Sequence, residues 1–262
     1  MYAQYLLCAL REVWSMLWEI PAPHLVIAED KLRQKTLTYY ILVMFPLLGC
    51  LVWAALSVLG AAAGLLPGRI AAAMLFAVLA TFFLEIIGGG KGISSCSSII
   101  EKLLRKESLL RSLFTAENDI HADRAPIGLL SMFTILLLRG FCLGMLYTVG
   151  GGNWFALVFI LSYTLQAQLA TLPLLSSGDC IIRTNPRGLR LLWVSAIILV
   201  LVIGRHDMVG ALAALAVAGV FTWCAYAFFD RKSGGTTGAL IGTSGYVLET
   251  ILLLLGAGML SR

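Results

Sequence analysis

The sequence predicts an all-α fold: a polytopic membrane helical bundle of about seven transmembrane helices with an N-terminal amphipathic helix. Three observations predict it. The chain is 60% hydrophobic and 13% charged, whereas an ordinary soluble domain is roughly 25% charged. Its mean hydropathy is +0.91. Its apolar runs approach the roughly 20 residues needed to cross a bilayer, and short turns or polar loops separate them. The 262 residues suit one domain covering 1–262. The net charge of +5 does not call for nucleic acid, because most basic residues lie beside the apolar runs, where membrane lipids are the natural partner. The six cysteines are scattered and form no C-x-x-C pair, so neither a disulfide framework nor a zinc site is expected.

Residues 1–20 are apolar but interrupted by Arg11, Glu12 and Glu19, with Trp14 and Trp18 suited to the membrane interface. That pattern predicts a helix lying on the membrane, not a cleavable signal peptide. Pro21 and Pro23 end it, and a polar segment from Glu29 to Lys35 follows. The first span is 37–66, closed by the turn Pro67-Gly68-Arg69. The second, 70–87, runs into a glycine–serine stretch. Within the polar connection 88–125, residues 99–114 carry apolar side chains at helical spacing and predict a second amphipathic helix. The third span is 125–149, and Gly150-Gly-Gly-Asn153 turns the chain into the fourth, 154–175. A polar loop is expected over 176–190. The fifth span is 191–204, the sixth 208–229 and the seventh 239–260.

Seven spans put the loops alternately on two sides. Fifteen of the 19 Lys and Arg then fall on the side of the N-terminus, three fall on the other, and Arg139 lies inside the third span. The positive-inside rule makes the N-terminus and every long polar loop cytoplasmic, and the C-terminus external. A binding or active site is expected on the cytoplasmic side.

Few ionisable residues fall within spans: Glu85 ends the second, Arg139 is mid-third and Glu249 is in the seventh. A charge at the bilayer centre costs at least about 2.5–3.5 kcal/mol on insertion scales, so such residues face the bundle interior and pair. Arg139 is expected to pair with Glu249 or Glu85, or to line a substrate pocket. Tyr246 and Glu249, three apart, share a helix face. The stretch Gly88-Gly-Gly90-Lys91-Gly-Ile-Ser94-Ser-Cys96-Ser97-Ser follows Glu85 directly. It reads either as a helix cap and loop or as a substrate-facing loop at the membrane surface.

With these residues in view, the chain resembles the cobalamin synthase family, the adenosylcobinamide-GDP ribazoletransferases. Leu17-Trp18-Glu19-Ile20-Pro21-Ala22-Pro23 is similar to that family's apolar stretch ending in Pro-x-Pro. Phe45-Pro46-Leu47-Leu48-Gly49 matches its Phe-Pro-x-x-Gly. Ala125-Pro126-Ile127-Gly128 followed by Arg139 resembles its Gly-x-x-Gly and later basic residue. Gly234-Gly235-Thr236-Thr237-Gly238 followed by Glu249 resembles its Gly-Gly-x-Thr-Gly and last-helix glutamate. The resemblance implies an integral protein of the prokaryotic cytoplasmic (inner) membrane. It implies a transferase of cobalamin biosynthesis joining adenosylcobinamide-GDP to α-ribazole phosphate with Mg²⁺, in contact with other cobalamin-assembly membrane proteins. It places Gly90, Lys91, Ser94, Ser97, Gly234, Gly235, Thr237, Arg139 and Glu249 at the substrate.

The chain departs from the family where the metal should be held. The family's His-x-Asp-Gly-x-x-Asp-x-x-Asp falls on Gly88, Gly90, Ser94 and Ser97, and the aspartate after its C-terminal glycine–threonine motif falls on Ala239. Carboxylates there would hold Mg²⁺ against phosphate and accept a hydroxyl proton. Glu85 and Glu101 are the acids near enough to substitute in catalysis. Glu117, Asp119 and Asp123, beside His121, form the densest acidic cluster. Two readings follow: a ribazoletransferase with a rewired site, and a non-catalytic relative that binds a corrin or nucleotide or assembles membrane partners. A transporter fits less well, since no internal repeat is evident.

Overall fold

The computed structural model describes residues 31–87, 94, 96–97, 126–173, 182, 186–233 and 235–260. The expected amphipathic helices over 1–20 and 99–114, and the acidic cluster at 117–123, lie outside the described residues. Within them the fold is all-helical. Seven α-helices run in chain order: α1 (Lys31–Ala63), α2 (Arg69–Ile87), α3 (Pro126–Thr148), α4 (Gly152–Leu169), α5 (Pro186–Ile203), α6 (Met208–Phe228) and α7 (Gly238–Leu260). All of these helices except α4 contain segments long and apolar enough to cross a membrane, so the chain is an integral membrane protein.

Two helices start earlier than the hydropathy pattern suggests. The polar segment ending at Lys35 is helical from Lys31, and the end of the expected loop over 176–190 is helical from Pro186. Proline suits a first helical position, since its φ is pre-set and its missing N–H would have no partner there. Both turns seen in the sequence are present, and each has a glycine with positive φ: Gly68 at 99° and Gly150 at 76°.

The centre of the bundle is α4. It packs against α1, α7, α5 and α6, and 14 of its 18 residues are buried. It is also the helix that falls short of the length-and-hydropathy pattern of a span, because it carries Ser162, Thr164, Gln166 and Gln168 among its apolar residues. The two facts have one cause. A helix facing lipid must be apolar, whereas one enclosed by other helices can carry polar side chains that find partners across the interface. Trp193 Nε1 on α5 donates to Gln168 Oε1 at 2.6 Å. Gly49 of the Phe-Pro-x-x-Gly stretch lies so close to α4 that a Cβ there would overlap the backbone of Phe159 and Ile160. Gly245 on α7 similarly admits the side chain of Gln166.

One end of the bundle is tied by side chains that cap backbone carbonyls. Trp53 Nε1 donates to Gly152 O at 2.8 Å and Tyr147 OH to Gly60 O at 3.1 Å, and Arg69 reaches Thr148 O. Phe76 stacks on Tyr147 with centroids 4.8 Å apart. Asp207 caps α6 by accepting from Gly210 N at 2.9 Å. The polar residues of interest lie away from this clamped end.

Candidate functional site: a buried arginine between two glutamates

Arg139 projects from the middle of α3 and is 3% exposed. Its Nη2 donates to Glu249 Oε2 on α7 at 2.7 Å, and its Nη1 to Glu85 Oε1 at the end of α2 at 3.1 Å. The sequence leaves its partner open between these two acids; the arginine bridges both. Its Cζ lies 4.0 Å from the centroid of the Tyr246 ring, a cation–π contact that supports the guanidinium from one side. Tyr246 OH donates to the same Glu85 Oε1 at 3.2 Å. Tyr246 and Glu249 thus meet Arg139 from the shared face of α7 that their spacing predicts.

The fourth wall comes from α4 and is not evident from the sequence. Ser162 Oγ lies 3.0 Å from Glu249 Oε1 and 3.1 Å from Gly245 O. A single serine inside an apolar run gives little signal, because most such serines bond their own helix backbone. What marks Ser162 is that α4 is enclosed, so its hydroxyl faces another helix instead of lipid.

Three residues of the glycine–serine stretch, Ser94, Cys96 and Ser97, are among the described residues. Ser97 is 2% exposed, and Ser94 and Cys96 are half-buried. Burial pushes the Cys96 thiol above its usual range, and the Arg139 guanidinium pulls it the other way, so this segment lies within the field of the arginine. Of the other expected site residues, Gly235 and Thr237 lie in the buried turn before α7. Gly235 N donates to Phe229 O, and Thr236 N to Pro173 O beyond α4. Thr237 Oγ1 accepts from Leu240 N at 3.2 Å and caps α7. Gly90, Lys91, Glu101 and Gly234 lie outside the described residues.

The helices therefore bring together Arg139, Glu249, Glu85 and Tyr246, with Cys96 within the arginine's electrostatic reach. Thr237 stands as a helix cap. Compared with protein-family models, curated proteins and solved structures, the chain matches none.

Proposed function

We propose that this chain is a seven-span protein of the cytoplasmic membrane, of cobalamin synthase type, that binds a corrin or nucleotide ligand at the cytoplasmic end of its bundle without catalysing metal-dependent transfer. The observation that carries this reading is the engagement of Glu85. Its Oε1 takes bonds from both Arg139 and Tyr246, so the acid best placed to replace the missing aspartates is already engaged by two donors of the protein itself. The aspartate positions themselves hold hydroxyls at Ser94 and Ser97. Neutral hydroxyls alone supply none of the negative charge with which carboxylates and phosphates hold Mg²⁺. Glu85 and Glu249 both face a fixed guanidinium that a divalent cation would have to approach.

Retention of the scaffold supports the family reading. The motif arginine of α3 and the motif glutamate of α7 meet in one buried ion pair, and motif residue Gly49 permits the close approach of α1 to α4. The enclosed position of α4 supports counting it as a seventh span despite its polar residues, and a seventh span keeps the basic loops together on the cytoplasmic side.

The test is a transferase assay on detergent-solubilised protein with adenosylcobinamide-GDP, α-ribazole phosphate and Mg²⁺, beside an acid-bearing cobalamin synthase. The expected result is no product from this chain while the control turns over. Product that disappears in Glu85→Gln or Glu101→Gln would instead establish the rewired enzyme.

A further inference from the structure

The geometry points to a proton-binding site in the Arg139 cluster: Glu249 is the carboxylate, and Glu85 is a carboxylic acid carrying its proton on Oε2. Two independent observations lead there. The first is charge. One guanidinium faces two carboxyl groups at a largely buried site, so the ionised cluster would carry a net negative charge where water screens it weakly. Among the described residues, the groups facing it from the other elements do not supply a compensating cation. They are Tyr246 from α7, Tyr163 from α4 and Cys96 from the segment after α2, all neutral in their protonated forms.

The second is the distribution of hydrogen bonds between the two acids. The guanidinium lies closer to Glu249, 2.7 Å from Oε2 against 3.1 Å from Glu85 Oε1, and the nearer cation favours the ionised form there. In Glu85, Oε1 receives both Arg139 Nη1 and Tyr246 OH, while Oε2 takes no hydrogen bond from the described residues. A carboxylic acid has this asymmetry: its carbonyl oxygen accepts and its hydroxyl oxygen is the donor. Glu85 is also the more exposed of the two acids, with 20% of its side chain accessible against 10% for Glu249. Its proton therefore has the shorter route to water, at the end of α2. The arginine contributes to the split. It makes one bond to each acid instead of a two-pronged pair with either, and its Nε makes no hydrogen bond although it is buried.

On ionisation the proton leaves Oε2 for water, and the cluster gains a negative charge beside Cys96 and Ser97. A positively charged ligand seated on Glu85 must displace that proton, so its binding is linked to proton release. This site is independent of the ligand proposed above, since it requires neither a corrin nor a nucleotide.

Infrared spectroscopy of the full chain in lipid nanodiscs tests the assignment, through the C=O absorption of a protonated carboxyl at neutral pH. The expected result is a band that disappears in Glu85→Gln. Thermal stability supplies the second readout. Glutamine reproduces a neutral carboxyl, so Glu85→Gln should melt at or above wild type. Glu249→Gln should melt lower, because it forces Glu85 to give up its proton and become the partner of Arg139. Absence of the band, a band unaffected by Glu85→Gln, or equal destabilisation by the two substitutions would overturn it.

Discussion

Arg139 and Glu249 are 110 positions apart in the chain and 2.7 Å apart in the structure, joined by a buried ion pair that ties α3 to α7. Glu85 joins α2 to the same arginine, and Ser162 brings in α4. Four helices thus share one polar knot inside a mostly apolar bundle.

Removing the arginine should be the most damaging single change. Arg139→Met leaves two buried acids without their cation, and breaking a buried pair from one side costs about 3–5 kcal/mol. Arg139→Lys should rescue only part of this, because an ammonium cannot place separate planar N–H groups on two acids and still lie flat against Tyr246. Unfolding curves in detergent should rank wild type above the lysine variant and the lysine variant above methionine.

Ser162→Ala removes a hydroxyl that lies within hydrogen-bond reach of both Glu249 Oε1 and Gly245 O. Hydrogen bonds to charged groups contribute about 1.5–3 kcal/mol. A loss in that range is expected from Ser162→Ala, and a much smaller one from Thr164→Ala, whose hydroxyl bonds only its own helix at Ile160 O. Melting temperatures of the two variants check the contrast.

Two glycines should respond differently to the same methyl group. A Cβ on Gly49 meets the backbone of α4, which cannot move without displacing the central helix. A Cβ on Gly245 meets the Gln166 side chain, which can rotate away. Overpacking costs typically about 1–3 kcal/mol. Gly49→Ala should fall in or above that range, and Gly245→Ala below it, by thermal unfolding.

Cys96 provides a pH-dependent reporter of the arginine. The thiolate is the reactive form. Burial raises the Cys96 pKa above the usual thiol range, so less thiolate is present at a given pH, and alkylation should accelerate only at more alkaline pH than for an ordinary thiol. In a variant retaining Cys96 as its one cysteine, the midpoint of the rate–pH profile should lie above that of an ordinary thiol. Neutralising Arg139 should move it higher still, because the guanidinium favours the thiolate.

Much of this fold is legible in the sequence because lipid imposes a simple code. The apolar runs at 70–87 and 208–229 match α2 and α6 to within a residue at each end, since both helices are apolar along most of their length and end in short turns or polar segments. The starts of α1 and α5 are not legible, since helix continues past the membrane edge into polar residues that hydropathy counts as loop. In the site, Glu85, Arg139 and Glu249 stand out because a charge in an apolar run demands a partner. Ser162 does not, since its importance arises from what encloses α4. The choice between one partner and two for Arg139 is also hidden, because sequence spacing within a helix says nothing of the distance between helices.

The most direct measurement of the central claim is equilibrium binding of adenosylcobinamide-GDP to the purified chain, with and without a metal chelator. The account predicts saturable binding at one site that is unchanged by the chelator. It also predicts that binding weakens at least about tenfold, or roughly 1.4 kcal/mol, in Ser97→Phe, which fills the buried position nearest in sequence to Cys96. Binding that needs Mg²⁺, or no saturable binding at all, would contradict it.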